Sequence, residues 1–223
     1  MSALAPRLAV FDCDGTLVDG QADICGAMDA AFGALGLAPP PGHLTRAIVG
    51  LSLPEAMRRL HPAGDAAQQD ALCGHYREAY RARRVAGQLA EPLYDGIAAL
   101  LDDLRAAGWL LGVATGKSDR GLAHCLATHG LAGHFVTLQT ADRHPSKPHP
   151  AMLEAALGAV GAEPQDCAMI GDTAYDMAMA KAAGTRALGV AWGYHPPAEL
   201  LAAGAEAVAA NTAELGTMLG LKA

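Results

Sequence analysis

A short acidic loop follows an apolar segment near the beginning of the sequence. Residues 8–11 are Leu-Ala-Val-Phe, and the next residues include Asp12, Asp14 and Gly15. Carboxylates spaced in this way can supply the hard oxygen ligands that magnesium prefers. A calcium-binding EF-hand loop does not fit, because it requires glycine at the sixth position, where this sequence has Leu17.

Polar groups also occur at three later places, after two further apolar segments and in the stretch between these segments. In order, these groups are Thr115-Gly116-Lys117, Ser146-Lys147-Pro148, and Gly171-Asp172 with Asp176 beyond it. In an open parallel sheet, ligands bind outside the carboxyl ends of the strands. We therefore expect carboxylates, a hydroxyl group, a glycine turn and a lysine to meet at one edge of the sheet.

Carboxylates gathered at one edge imply a bound cation. Asp12, Asp14 and Asp172 would repel one another if buried together without one. Their oxygen atoms suit magnesium better than a softer metal. The sequence therefore predicts a magnesium site.

Lysine is rare in this chain and concentrated at the predicted site. Of the 16 basic residues only four are lysines, namely Lys117, Lys147, Lys181 and Lys222. A lysine is a compact point charge that suits a phosphoryl oxygen or a carboxylate. We interpret Lys147 as functional, while Lys117 is either functional or a solvated residue in the first turn of a helix.

The apolar segments alternate with amphipathic ones. Strand-like runs occur at 8–11, 109–114, 167–170 and 187–191, and helical patterns include 97–104 and 152–160. Such alternation indicates right-handed crossovers and a parallel sheet covered on both faces. We predict an α/β fold with a Rossmann-like, doubly wound parallel sheet.

One interval lacks strand-like runs. Residues 21–92 show only helical patterns, which predicts an inserted helical cap at 21–92 and an α/β core formed by 1–20 and 93–223. Within the insert, Gly50 and Ser52 either approach the substrate or form an ordinary turn between helices. A second feature of the insert is a shared helix face that either binds an acidic substrate or is simply solvated; it carries Arg77, Arg81 and Arg84.

Composition limits the classes of partner. A net charge of -7 gives no general attraction for nucleic acid. No run approaches the roughly 20 apolar residues of a membrane span. Residues 1–6 lack the pattern of a secretory signal, and the five scattered cysteines are typical of reduced thiols, so we expect a cytoplasmic protein.

The ordered motifs resemble those of the haloacid dehalogenase-like (HAD) superfamily of hydrolases. They are Asp-x-Asp-Gly-Thr-Leu-Val-Asp from Asp12, Thr-Gly from Thr115, Lys-Pro from Lys147, and Gly-Asp-x-x-x-Asp from Gly171. The likeness covers essentially the whole chain. The insert resembles the cap of the phosphoglycolate phosphatase-like branch.

The resemblance implies a role for each motif residue. Asp12 would be the nucleophile that forms an aspartyl-phosphate, and Asp14 the acid and base. The phosphate-binding residues would be Gly15, Thr115, Gly116 and Lys147. Magnesium would be bound by Asp12, the backbone carbonyl of Asp14, and Asp172, while Asp176 would hold a metal-bound water.

The function implied is that of a magnesium-dependent phosphatase acting on a small phosphorylated metabolite, phosphoglycolate-like or a sugar phosphate. Haloacid dehalogenases lack the second aspartate, so Asp14 argues against them. Phosphonoacetaldehyde hydrolases need a cap lysine, and residues 1–116 contain none. Beta-phosphoglucomutases remain an alternative, because their basic cap residues find possible counterparts in Arg46, Arg58 or Arg59.

A non-hydrolytic alternative also remains. Response-regulator receiver domains accept phosphate on an aspartate beside magnesium, and they act as switches. Their acidic pair precedes the phosphoacceptor strand, which is not the order found here. Steady release of product from para-nitrophenyl phosphate would distinguish a hydrolase from such a switch.

Overall fold

The protein has a six-stranded parallel sheet at its centre. The computed structural model describes residues 6–222, so the expectation about a signal at residues 1–5 lies outside the described chain. The strands are β1 (Leu8–Phe11), β2 (Leu110–Thr115), β3 (Thr137–Thr140), β4 (Cys167–Gly171), β5 (Arg186–Val190) and β6 (Ala207–Ala209). Their order is β3-β2-β1-β4-β5-β6. This is the doubly wound order, in which ligands bind where the winding reverses, beyond β1 and β4.

Ten helices accompany the sheet within residues 6–222. They are α1 (Gln21–Ala34), α2 (Gly42–Ala47), α3 (Leu53–Leu60), α4 (Ala66–Val85), α5 (Ile97–Ala106), α6 (Asp119–Thr128), α7 (Ala151–Val160), α8 (Ala174–Ala183), α9 (Pro197–Ala203) and α10 (Thr212–Met218). Over this described stretch, no helix combines the length and apolar character that crossing a membrane requires.

The sheet separates two apolar layers. Strand β1 is fully buried, and its side chains alternate between the two layers: Ala9 and Phe11 pack with α5, α6 and α10, whereas Leu8 and Val10 pack with α7, α8 and α9. A strand covered on both faces has no polar alternation, which explains the continuous apolar run in the sequence. The predicted α/β fold with a Rossmann-like, doubly wound parallel sheet is confirmed.

Two of the strands, β3 and β6, were not predicted from the sequence. Strand β3 has the sequence Thr-Leu-Gln-Thr, and β6 has only three residues. The first is too polar and the second too short to form an apolar run, so neither gives a recognisable signal. Both depend on pairing with a neighbouring strand of the sheet.

Helices α1 to α4 follow β1 in the sequence and precede α5, and α1, α3 and α4 share an apolar cluster with the loop after α2. Its centre includes Met28, Phe32, Met57 and Leu72. An antiparallel bridge between Val18 and Leu93 places the outgoing and returning chain segments side by side. The domain limits at 20/21 and 92/93 stay a prediction.

Candidate active site

The ends of β1 and β4 bring together two of the predicted carboxylates. The two strands are neighbours, with Phe11 paired to Ile170. The backbone N–H of Asp12 donates to the Ile170 carbonyl at 2.9 Å. Asp12 and Asp172 are therefore adjacent and completely buried, although 160 positions separate them in the sequence.

A third carboxylate completes a buried acidic cluster. Asp176 lies in the first turn of α8, which begins with a capping box formed with Thr173. One carboxylate oxygen from each of Asp12, Asp172 and Asp176 lies within 4.8 Å of the others. Such closely spaced like charges disfavour the ionised forms of Asp12 and Asp172.

Lys147 neutralises part of this cluster. Its Nζ atom lies 2.9 Å from Asp12 Oδ2 and 2.6 Å from Asp176 Oδ1, and the side chain is completely buried. Burial opposes a positive charge, but the two carboxylates outweigh it and raise the pKa of Lys147. Burial also raises the pKa of Asp12 to about 7, although Lys147 acts in the opposite direction.

Asp172 is held rigidly on the other side of the cluster. Its oxygens accept hydrogen bonds from the Thr16 hydroxyl and the Tyr194 backbone N–H, each at 2.9 Å. Burial, with the charges of Asp12 and Asp176, raises its pKa well above the ordinary range.

Gly15 leaves room for the Asp172 carboxylate. It has a φ of +83°, and a Cβ atom at this position would overlap that carboxylate. Its own N–H donates to the Val18 carbonyl at 2.8 Å. The structure therefore explains the glycine by space and backbone conformation, and its part in phosphate binding stays a prediction.

The donor atoms of the cluster fit a divalent cation. Three buried carboxylates face one ammonium group, which leaves excess negative charge that a cation would offset. Asp12 Oδ2 accepts no well-directed hydrogen bond among residues 6–222. By contrast, Asp176 uses Oδ1 for Lys147 and Oδ2 for Thr173. Asp12 is thus suited to be a ligand and Asp176 to orient Lys147, whereas both oxygens of Asp172 already accept one hydrogen bond each.

Asp14 lies apart from that cluster and has its own cation. Lys117 Nζ lies 3.0 Å from Asp14 Oδ1 and 2.5 Å from Glu91 Oε1. The Tyr80 hydroxyl donates to Glu91 at 2.6 Å. Burial opposes the charge on Lys117, but its acidic neighbours, Asp14 first, raise its pKa. The interpretation of Lys117 as a solvated residue is therefore wrong.

The environment of Asp14 suits a group that exchanges protons. Burial raises the pKa of Asp14, and the ion pair with Lys117 acts against that shift. A carboxyl group whose pKa is moved toward neutrality is a better general acid than an ordinary aspartate.

Thr115 and Gly116 end β2 beside the cap. The Thr115 hydroxyl accepts the backbone N–H of Lys117 at 3.2 Å. A Cβ atom on Gly116 would lie 2.5 Å from the Leu51 carbonyl and 2.8 Å from that of Gly50. Glycine is therefore required for the close approach of core and cap.

The loop between α2 and α3 approaches the acidic cluster. Gly50 has a φ of +93°, and a Cβ atom there would lie 3.6 Å from Asp12 Oδ2. The Ser52 N–H donates to the Ser146 hydroxyl at 2.8 Å, next to Lys147. The structure thus brings Gly50 and Ser52 to the site, and their part in substrate selection stays a prediction.

A cavity of about 770 Å³ opens between the core and the insert. It extends from Asp14 and Gly116 to the exposed face of α4. Its wall there is formed by Tyr76, Arg77, Tyr80, Arg81 and Arg84.

The arginines considered for a sugar-phosphate mutase lie elsewhere. Arg46, Arg58 and Arg59 are absent from the cavity wall as far as residues 6–222 describe it. Arg58 and Arg59 instead form ion pairs with Glu55.

Several contributors to the site were missed from sequence. Glu91 and Tyr80 belong to no motif, and they reach Asp14 through Lys117. Thr16 lies within the first motif but was given no role there, and its hydroxyl donates to Asp172. One signal was available for Glu91, because a buried lysine at the motif edge requires an acidic partner.

Two further residues of the first motif, Cys13 and Asp19, make contacts that serve the fold. Cys13 points into the apolar layer, where its Sγ lies 3.8 Å from that of Cys125. Hydrogen bonding to Cys125, together with burial, raises the pKa of the Cys13 thiol. Asp19 accepts the N–H of Gln21 at 3.1 Å at the start of α1, whose N-cap residue is Gly20.

The chain is similar in sequence to known hydrolases and phosphatases. The family model for haloacid dehalogenase-like hydrolases matches residues 6–184. The chain is 36% identical over 200 residues to the probable phosphatase IndB of Dickeya dadantii, covering 88% of this chain and 86% of that protein. It is 33% identical to the phosphoglycolate phosphatase of Rhodospirillum rubrum, covering 96% and 91%.

A solved structure shows the same architecture. It is described as a predicted phosphatase from Clostridium acetobutylicum and superposes with a TM-score of 0.86 at 25% identity. The match covers 97% of this chain and 99% of that one.

Proposed function

The chain belongs to the haloacid dehalogenase-like hydrolases, and we propose that it is a magnesium-dependent phosphatase of a small phosphorylated metabolite. The reaction would pass through an aspartyl-phosphate on Asp12. A cytoplasmic location is part of the proposal, because all five cysteines are free thiols.

One observation carries the proposal: the two aspartates of the first motif occupy different electrostatic environments. Asp12 faces Lys147 and the acidic cluster, whereas Asp14 faces Lys117. Two carboxylates with separate partners can perform separate tasks, one as nucleophile and one as proton donor.

In the first half-reaction, an Asp12 oxygen attacks the phosphorus atom and the ester oxygen departs. Asp14 gives its proton to the departing alkoxide, so the product is a neutral alcohol. Lys147, at 2.9 Å from Asp12 Oδ2, fixes the orientation of the nucleophile and offsets the charge of the transferring group.

In the second half-reaction, water attacks the phosphorus of the aspartyl-phosphate. Asp14, now ionised, takes a proton from that water and is ready for another cycle. The products are inorganic phosphate and free Asp12. Lys117 stabilises ionised Asp14 between the two steps, because the two side chains form a buried ion pair.

Asp12 and Asp172 would hold the magnesium ion, with the backbone carbonyl of Asp14 as a further ligand. When bound, a divalent ion supplies positive charge that stabilises the phosphoryl oxygens in the transition state. Thr115 and Gly116 lie at the end of β2 beside Lys117, where they would bind phosphate.

For the substrate we propose a phosphoglycolate-like compound or a sugar phosphate. The phosphoglycolate phosphatase of R. rubrum, at 33% identity, supports the first. The three arginines considered for a mutase, Arg46, Arg58 and Arg59, are not part of the described cavity wall.

Turnover of para-nitrophenyl phosphate with magnesium tests the proposal. We expect steady release of nitrophenol, and we expect Asp12→Asn to reduce kcat by about 10⁴-fold or more, as loss of a nucleophile does. Normal turnover in that folded variant would refute the nucleophile assignment. A single stoichiometric burst from the wild type would instead favour a phosphorylated switch.

Asp14→Asn examines the acid and base role. We expect it to slow both formation and hydrolysis of the phosphorylated enzyme in single-turnover experiments. If most of the steady-state activity persists, Asp14 does not transfer the protons.

A further inference from the structure

Three arginines of α4 line the same cavity as Asp14, the proposed acid and base. Arg77, Arg81 and Arg84 are spaced four and three residues apart, so they project from neighbouring positions on one helix face. The cavity wall that contains them continues to Asp14 and Lys117.

Within residues 6–222, these arginines lack the acidic partners that Arg58, Arg59 and Arg83 have. Arg83, on the same helix, forms an ion pair with Asp23 at 2.6 Å. Among residues 6–222, no carboxylate oxygen lies within 4.0 Å of the guanidinium groups of Arg77, Arg81 or Arg84. The chain has a net charge of -7, so a shortage of acidic residues does not explain this.

The acidic residues that also line the cavity are already engaged. Asp14 contacts Lys117, and Asp119 contacts Arg143 at 2.9 Å. Asp142 accepts the backbone N–H of Asp119, also at 2.9 Å. The cavity therefore retains positive charge beside α4, to which Arg120 on α6 adds.

The arginines lie close to the reaction centre along the helix. Tyr80 is one turn from both Arg77 and Arg84, which is about 5 Å along the axis. Its hydroxyl is connected to Asp14 through Glu91 and Lys117. A ligand bound beside Asp14 therefore occupies the cavity whose wall also carries these guanidinium groups.

The size of the cavity agrees with such a ligand. Its volume of about 770 Å³ falls within the range of roughly 300–1,000 Å³ that is typical of sites for ligands much larger than a two-carbon ester.

We propose that the substrate is a phosphate monoester with a second anionic group, a carboxylate or another phosphate, which Arg77, Arg81 and Arg84 bind. This inference rests on the proposed phosphatase function. Guanidinium groups donate paired hydrogen bonds to either anion, and they recognise it by charge and by planar geometry.

Matched substrates test the inference. Glycerol 3-phosphate and 3-phosphoglycerate differ by a carboxylate, and fructose 6-phosphate and fructose 1,6-bisphosphate differ by a phosphate. We expect kcat/KM to favour the more anionic member of at least one pair by about tenfold or more, as one lost charged hydrogen bond would imply. The preferred pair identifies the second anion.

Variants then locate the preference. We expect the triple variant Arg77→Gln, Arg81→Gln, Arg84→Gln to reduce this ratio of kcat/KM values at least tenfold. Arg105→Gln, an exposed arginine on α5, is the matched control and should leave the ratio unchanged. Equal treatment of both members of both pairs by the wild type would overturn the inference, as would an undiminished ratio in the triple variant.

The same assays separate this inference from the function on which it rests. If the wild type with magnesium hydrolyses none of these esters nor para-nitrophenyl phosphate, both are overturned. If it hydrolyses them without regard to the second anion, only the inference fails.

Discussion

The acidic cluster of the core and the arginine face of α4 differ in whether their charged side chains are buried and paired. In the core, Asp12, Asp176 and Lys147 are completely buried and contact one another. On α4, Arg77 and Arg81 are exposed and have no acidic partner among residues 6–222. Burial makes an unpaired charge very costly, whereas water makes it inexpensive. The core therefore needs compensating positive charge, of which Lys147 supplies a part, while the cap face is able to keep charges available for a ligand.

From this contrast we expect the largest loss of stability when Lys147 is replaced. Lys147→Met leaves Asp12 and Asp176 as buried carboxylates without a cation, so we expect unfolding to become about 3–5 kcal/mol easier and activity to be lost. Lys181→Met, at an exposed position of α8, is the control and should change the free energy of unfolding by less than about 0.5 kcal/mol. Denaturant titration measures both. Equal stability of the two variants would contradict the compensation argument.

The second effect concerns Glu91, which connects the core to the cap. Glu91→Gln retains the shape of the side chain but removes the charge that helps to hold Lys117 against Asp14. We expect kcat to fall about tenfold to a hundredfold with little change in KM, as with misplacement of a catalytic group. Glu206→Gln, which breaks the exposed pair with Arg186, should have no effect on kcat. A rise in KM alone would show that Glu91 serves substrate binding instead.

We expect a smaller change in thermal stability when magnesium and pH are varied together. The pKa of Asp12 rises from 3.8 in the unfolded chain to about 7 in the folded one. Between these values only the unfolded chain releases the proton, so stability of the metal-free protein falls as pH rises through this window. Magnesium favours the ionised form and should raise Tm by about 5 °C at pH 8 and by less at pH 5.

The control for that experiment is sodium chloride at equal ionic strength, which should not reproduce the increase in Tm. Asp172→Asn should abolish the magnesium effect. An equal effect of magnesium at both pH values would show that the buried carboxylates are not its site.

The smallest effect is expected where the cap loop contacts the core. Ser146→Ala removes the acceptor for the Ser52 N–H, and we expect a loss of about 1 kcal/mol in stability. Ser52→Ala keeps that N–H and should be at least twofold less destabilising. Thermal unfolding of the two variants provides the comparison, and the reverse order would mean that this bond does not hold the loop.

Much of the site was predictable from the sequence because its residues lie beyond the carboxyl ends of strands. Asp12, Asp172 and Lys147 each follow an apolar run or lie in a loop between two, and parallel strands place their carboxyl ends at one edge. That argument required no knowledge of how the side chains pack. A separate observation, the lack of strand-like runs in residues 21–92, indicated the helical insert.

The environment of each charge was decided only by packing between distant segments. Lys117 could have been solvated, but the folded chain buries it between Asp14, 103 positions earlier, and Glu91. Strand β3 exists through its pairing with β2, and Gly15 is needed because the Asp172 carboxylate occupies the space beside it. Residue type and local periodicity carry information about strands and motifs, whereas burial and ion pairing depend on which remote residues become neighbours.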